Sequence, residues 1–388
     1  MSMEGAVMAT VIGVTDTAVT FTPPEMPAGV YNVIVLCQWD WKCSDTTTPI
    51  LKFLLIDGGK LMYDRDADGL NLNSEFILII NGGALEIGTE DEPYLHQATI
   101  TMHGHVRCTE LPVYGCKSIG ARKGSLDLHG EFVPMTWTYL AATVEATATE
   151  ITLVNGVNWK PGSEIVIATT GDRASMGESE KMVIDSVSDD GTIITLTEPL
   201  KFKHISIAQT FGEHTIETRA EVGLLTRNVK VMGNINQQFV TEIPACEKPF
   251  VANEEAPQSC FQGKFGEEIG TDEFGAIIFI HAKEKDQHLA QARIAYTEFT
   301  SVGQAFRVGR YPIHFHINGN ASTSYVRVIA IHWSLNRACT IHAVDNLLVE
   351  HNVAFNVKGL TLSLKMVLRK IILCNTILLC LPDNLTVS

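Results

Sequence analysis

Basic residues are scarce in this chain: 29 Lys and Arg stand against 44 Asp and Glu, a net charge of −15 over 388 residues. Binding to nucleic acid or an anionic membrane surface needs clustered Lys and Arg, and no basic stripe is present, so those partners are excluded. Helical periodicity is almost absent, which argues against helix bundles and βαβ folds. No Cys-x-x-Cys pair occurs, so the commonest zinc pattern is missing. No apolar run reaches the about 20 residues of a membrane helix before about residue 360. The opening MSMEGAVMATVIGV has neither the basic n-region nor the continuous apolar h-region of a signal peptide. These absences lead one to expect a fragment or a cytosolic chain.

What is present is hydrophobic and repetitive. The chain is 45% hydrophobic, enough for a large core, and its length allows two or three domains. IDGGKLMYD from Ile56 and INGGALEIG from Ile80 share one pattern 24 residues apart, and ITMHG from Ile100 and LDLHG from Leu126 another at 26. Self-similarity at about 20 to 50 residues signals a solenoid, in which each unit buries its apolar side against the next. Paired glycines at corners suit short β-coils. SEIVIATT, EKMVIDSV, TIITLTEPL, NVKVMGN, GAIIFIHA, ARIAYTEF and SYVRVIAIHW keep the same strand-like character. The expected fold class is all-β.

Of the nine cysteines, Cys37 with Cys43, Cys108 with Cys116 and Cys246 with Cys260 lie close enough to close short disulfide loops. Free buried thiols are the competing reading. Asn320 and Asn384 head glycosylation sequons. Asp64, Asp66 and Asp68 alternate in DRDADG, as in an oxygen-rich calcium loop, although the downstream Glu of an EF-hand is missing; calcium is the one cofactor this pattern admits.

The stretch YPIHFHINGN from Tyr311 holds the densest chemistry. Ile313-His314 with Asn318, Ile331-His332 with Asn336 and Ile341-His342 with Asn346 repeat one motif; the first two lie 18 residues apart, consistent with a single coil. Strands stack about 4.8 Å apart, which would make His314 and His332 lateral neighbours, with His342 on another face. Strict alternation turns Ile313, Phe315, Ile317, Ile331, Trp333 and Leu335 inward. It leaves His314, His316, His332, Ser334 and Asn336 lining an outer groove. Neutral imidazoles suit transition metals, Arg310, Tyr311 and His suit proton abstraction on a sugar ring, and a His and Asn ladder bonded along the stack is the structural alternative.

These residues carry a family resemblance. LLIDGGKLMYDRDADGLNLNSEFILIINGGALEIGTEDEPY resembles a G8 domain, and GRYPIHFHINGN with AIHWSLNRACTIHAVDNLLVEHNVAFNVKG resembles the β-helix beside it in fibrocystin-like proteins, shared with a cell-migration-inducing hyaluronan-binding protein and a transmembrane hyaluronidase. The resemblance covers about residues 40 to 359 and implies a right-handed parallel β-helix. VIGVTDTAVTFTPPEMPAGVYNVIV is similar to the last strands of an Ig-like IPT/TIG sandwich, which when complete needs about 100 residues. It implies an IPT/TIG remnant over 1–36, a G8 domain over 37–160, a β-helix over 161–359 and an aberrant tail over 360–388. In that tail the codons of a family Glu-Asp-Gly, read one base later, give Lys365-Met366-Val367, so an out-of-frame reading is expected; a short hydrophobic anchor competes with it.

The function implied is an extracellular module of a membrane-anchored or secreted receptor or coat protein, binding glycan, hyaluronan among them, or an extracellular protein, without catalysis. The resemblance also raises the expectation of disulfides. One alternative is a hyaluronan-depolymerising enzyme with His314, His316, His332 and Arg310 at its site. The other is a truncated chain with no activity of its own.

Overall fold

The computed structural model describes residues 47–105, 108–171, 175, 177–234, 273–282, 289–305 and 307–364, with further strand backbone at 10–14, 19–22, 31–36, 40–42, 260–262, 268–270, 365, 372–374 and 377–378. No α-helix occurs among them. Strands of successive coils pair in parallel and build a three-faced β-helix. One coil runs Ile313–Asn320, Tyr325–Arg327, Ala330–Ser334, and the next runs Cys339–Asp345, Leu348–Glu350, Val353–Val357. On the first face the register Ile56, Ile79, Ala121, Ile280, Phe315, Ile341 stacks one inward row, and all six side chains are fully buried. Such a row is the solenoid's core, since no coil can bury its apolar side alone.

The paired-glycine repeat has a direct cause. Asn81 Nδ2 donates to Asp57 Oδ1 at 2.7 Å across one coil, so Asp57 and Asn81 are the same corner one turn apart. Gly82 has φ +85°, and a Cβ on Gly83 would sit 2.6 Å from the Ile56 carbonyl oxygen. The corner therefore needs glycine twice, once for conformation and once for space. The other expected repeat does not hold as a coil step. ITMHG lies in Ala98–Met102 on the third face and LDLHG in Ser125–His129 on the second.

SEIVIATT, EKMVIDSV and TIITLTEPL, read as solenoid coils, pair differently. Glu164–Ile167, Glu180–Val187 and Ile193–Leu196 are antiparallel neighbours in a six-stranded sheet that also contains Trp137–Tyr139, Glu150–Thr152 and Glu221–Leu224. The reason is the connection: Val187 and Ile193 are joined through Asp189-Asp190-Gly191, with Gly191 at φ +73°, and so short a turn permits only an antiparallel hairpin. This unit has its own core around Leu140, Trp159, Ile165, Ile184 and Ile194, and leaves the solenoid between Ser125–His129 and Val229–Gly233. At the N-terminal side Thr10–Val14 and Val19–Thr22 form an antiparallel pair, while Tyr31–Leu36 pairs in parallel with Leu51–Asp57. At the other end Leu362–Lys365 pairs in parallel with Cys339–His342.

Candidate functional site

The histidines of YPIHFHINGN occupy the outer side of the first face, in two rows. In the inner of these rows the register runs Gly120, Phe279, His314, Thr340. His314 is buried; its Nδ1–H donates to the Gly309 carbonyl at 3.0 Å, and its ring meets Phe279 and Tyr311 edge-on at 4.8 and 4.9 Å. The next row is His281, His316, His342. The Nδ1 atoms of His281 and His316 are 3.2 Å apart, and the rings of His316 and His342 are 4.8 Å apart. Burial, then the neighbouring His281 and His342, holds His316 down to about 4, and burial likewise lowers His281.

His332 is elsewhere. It pairs with Thr300 and Phe355 on the third face, and His342, expected on another face, is the coil neighbour of His316. The coil step here is 26 residues, not 18. The alternation expected for Ile331, Trp333 and Leu335 also breaks. Trp333 has φ +53° and is 49% exposed, whereas His332 and Ser334 are buried. A left-handed residue turns the strand at that point, so parity does not carry across it. The groove expected from His314, His316, His332, Ser334 and Asn336 is therefore two separate places.

Each remaining candidate has a defined partner. His332 Nε2–H donates to Glu298 Oε1 at 3.0 Å, and Glu298, itself buried, also receives Lys230 Nζ and the Arg227 backbone N–H at 3.0 Å. Burial pushes the Glu298 carboxyl up, but the His332 hydrogen bond and the Lys230 charge outweigh it and hold it below the usual carboxylate range. His332 Nδ1 is buried with no hydrogen-bond partner among the described residues. Ser334 Oγ donates to the Asn336 carbonyl, and Asn336 Nδ2 to the carbonyls of Gln304 and Arg307, so both serve the coil corner. Arg310 reaches over Gly115 to the Val113 carbonyl at 2.7 Å and lies 3.7 Å from Glu110. That loop is closed by a Cys108–Cys116 disulfide, the pairing their spacing suggested.

The aspartates do not assemble a calcium loop. The Asp66 N–H donates to Asp64 Oδ1, Asp68 Oδ1 accepts from the Gln97 N–H, and among the described residues no three His, Cys, Asp or Glu side chains converge on one ion position. Asn320 Oδ1 accepts from Asn346 Nδ2 and the Ser322 N–H, a stacked pair one coil apart. Cys37, Cys43, Cys246, the Cys260 side chain and Asn384 lie outside the described residues. His281 escapes sequence reading, whereas Glu298, with Asp345 and Glu350, is among the few carboxylates the sequence offers a hydrolase here, with nothing to link it to His332. His281 sits in IFIH, which places an imidazole after Ile as IHFH does, and Glu298 is an acid inside the apolar strand Thr297–Val302.

Comparison with known proteins follows the same division. A family model described as G8 domain matches residues 20–141, and one described as CEMIP beta-helix matches 273–365. Fibrocystin-L of Homo sapiens is 50% identical over 340 residues, 87% of this chain and 8% of that protein. The chain belongs with the fibrocystin-L-like G8 and β-helix proteins. Fibrocystin of Canis lupus familiaris is 29% identical over 321 residues, 81% of this chain, and the chain again spans 8% of the relative's length. The solved tailspike of Pseudomonas phage phi297 aligns over 75% of this chain and 39% of its own, at 9% identity and a TM-score of 0.23. No helix among the described residues is long and apolar enough to cross a membrane.

Proposed function

We propose that this chain is an extracellular, cell-surface module of a large fibrocystin-L-like receptor or coat protein, and that its β-helix binds a glycan or protein ligand without catalysis. The observation carrying this reading is the engagement of the named side chains. His314 is tied to Gly309, Arg310 to the disulfide loop, and His332 to a carboxylate below the surface. Ser334 and Asn336 hold backbone. Side chains so engaged support rigidity, and a long rigid face is what solenoids offer to extended ligands. The Ig-like remnant over 1–36 and a glycan on Asn320 belong to the same proposal. Glycosylation would appear as a mass shift lost in Asn320→Gln.

A second reading, depolymerisation of hyaluronan, is favoured by one arrangement. Glu298 fixes the His332 Nε2–H and leaves Nδ1 without a described partner, as an oriented base would be. The test is incubation of the secreted chain with high-molecular-weight hyaluronan, with and without EDTA, following polymer length. Unshortened polymer that still co-sediments with the chain is expected. Shortening that disappears in His332→Ala or His314→Ala, with folding kept, would replace the binding reading by the enzymatic one.

A further inference from the structure

The imidazole row on the first face is built by strand register, not by a loop. His281, His316 and His342 project from the same position of three consecutive parallel strands. Their rings follow one another at 5.3 and 4.8 Å, and all three residues are half-buried. The two Nδ1 atoms are 3.2 Å apart, and His281 Nδ1 also lies 3.3 Å from the His316 carbonyl oxygen, so an ion bound between the rings would replace the proton that His281 otherwise directs there. The Nδ1 separation is also what two imidazole nitrogens have when each lies about 2.0–2.1 Å from one tetrahedral ion. Because parallel pairing fixes both backbones, the chelating geometry needs no ordering on binding.

We propose that His281 and His316 form a two-imidazole chelate for a divalent transition-metal ion of the zinc, copper and nickel class, with His342 as the adjoining imidazole. Imidazole is the ligand these ions favour over calcium and magnesium, which take oxygen. The ion needs neutral rings. No three acidic, cysteine or histidine side chains converge among the described residues, so the protein supplies two ligands and water the remainder. This site is independent of the ligand reading above, and no glycan enters it.

The test is calorimetric titration of the full chain with Zn²⁺ and, separately, Cu²⁺ at neutral pH, beside His281→Ala, His316→Ala and His96→Gln, the last an exposed histidine elsewhere. One saturable equivalent is expected, at least tenfold weaker in His281→Ala and in His316→Ala and unchanged in His96→Gln. Electron paramagnetic resonance of the Cu²⁺ form should show coupling to two imidazole nitrogens. That measurement needs only the unaltered chain, so it decides the matter even where an alanine variant does not fold. No saturable binding, binding that survives both alanine substitutions, or a spectrum with fewer than two imidazoles would overturn the proposal.

Discussion

His314 and His332 share a local pattern, Ile before and Asn four residues on, yet they meet different surroundings. His314 packs edge-on against aromatic rings and gives its proton to a carbonyl, while His332 bonds a buried carboxylate. Glu298→Ala would leave His332, Lys230 and the Arg227 N–H without their acceptor. Breaking such a buried pair costs about 3–5 kcal/mol, so a chemical-denaturation midpoint within experimental error of the parent would contradict this account. Lys117 gives the pH dependence. Its Nζ donates to the carbonyls of Asn234 and Phe274, both at 2.8 Å, and burial depresses it from 10.5 to about 7. Between those values the unfolded chain binds more protons than the folded one, so this group's contribution to stability rises with pH, by at most about 1.4 kcal/mol per unit. Comparison with Lys117→Met between about pH 7 and pH 9 isolates it. The parent should gain stability on the variant as pH rises, and parallel curves would count against the buried amine.

At the scale of the element, alternation was readable for Ile313 and Phe315 and failed from Ile317 onward. Ile317, Trp333, Ala343 and Asn356 all have positive φ. Ala343 stands one coil beyond Ile317 in the bulged part of its strand pair, and Asn356 opposite Trp333. These stacked left-handed positions end one face and begin the next, and at Ile317, Trp333 and Ala343 no composition rule marks them, since only glycine and asparagine advertise positive φ. The glycine corners were legible for the same reason. Gly83→Ala would drive a methyl into the carbonyls of Ile56 and Ile80, and a loss of roughly 1–3 kcal/mol is expected in thermal or denaturant unfolding. Gly162→Ala, with open space but φ +82°, tests conformation alone and should cost less than Gly83→Ala.

The whole molecule is one stack of coils carrying appended loops and a separate antiparallel unit. Phe315 lies in the inward row between Ile280 and Ile341, and Phe315→Ala should cost about 3–5 kcal/mol because flanking coils cannot close the void. The hairpin Ser206–Phe211 with His214–Arg219 is exposed along nearly its whole length. Hydrogen exchange should therefore run fast there and slowly in Ile277–His281 and Ile313–Asn320, whose strands have neighbours on both sides. Equal protection in the two regions would mean the hairpin is covered.

What the sequence by itself determined was local and periodic: strands in place of helices, coils that repeat, corners that require glycine, and the Cys108–Cys116 loop. Each follows from a residue's own backbone preference or from spacing along the chain. Only the tertiary structure decided which residues meet across coils. The loops between strands vary in length, so sequence distance does not measure the step from one coil to the next. That is why His316 joins His281, 35 residues before it, and His342, 26 after it, while His332 finds Glu298.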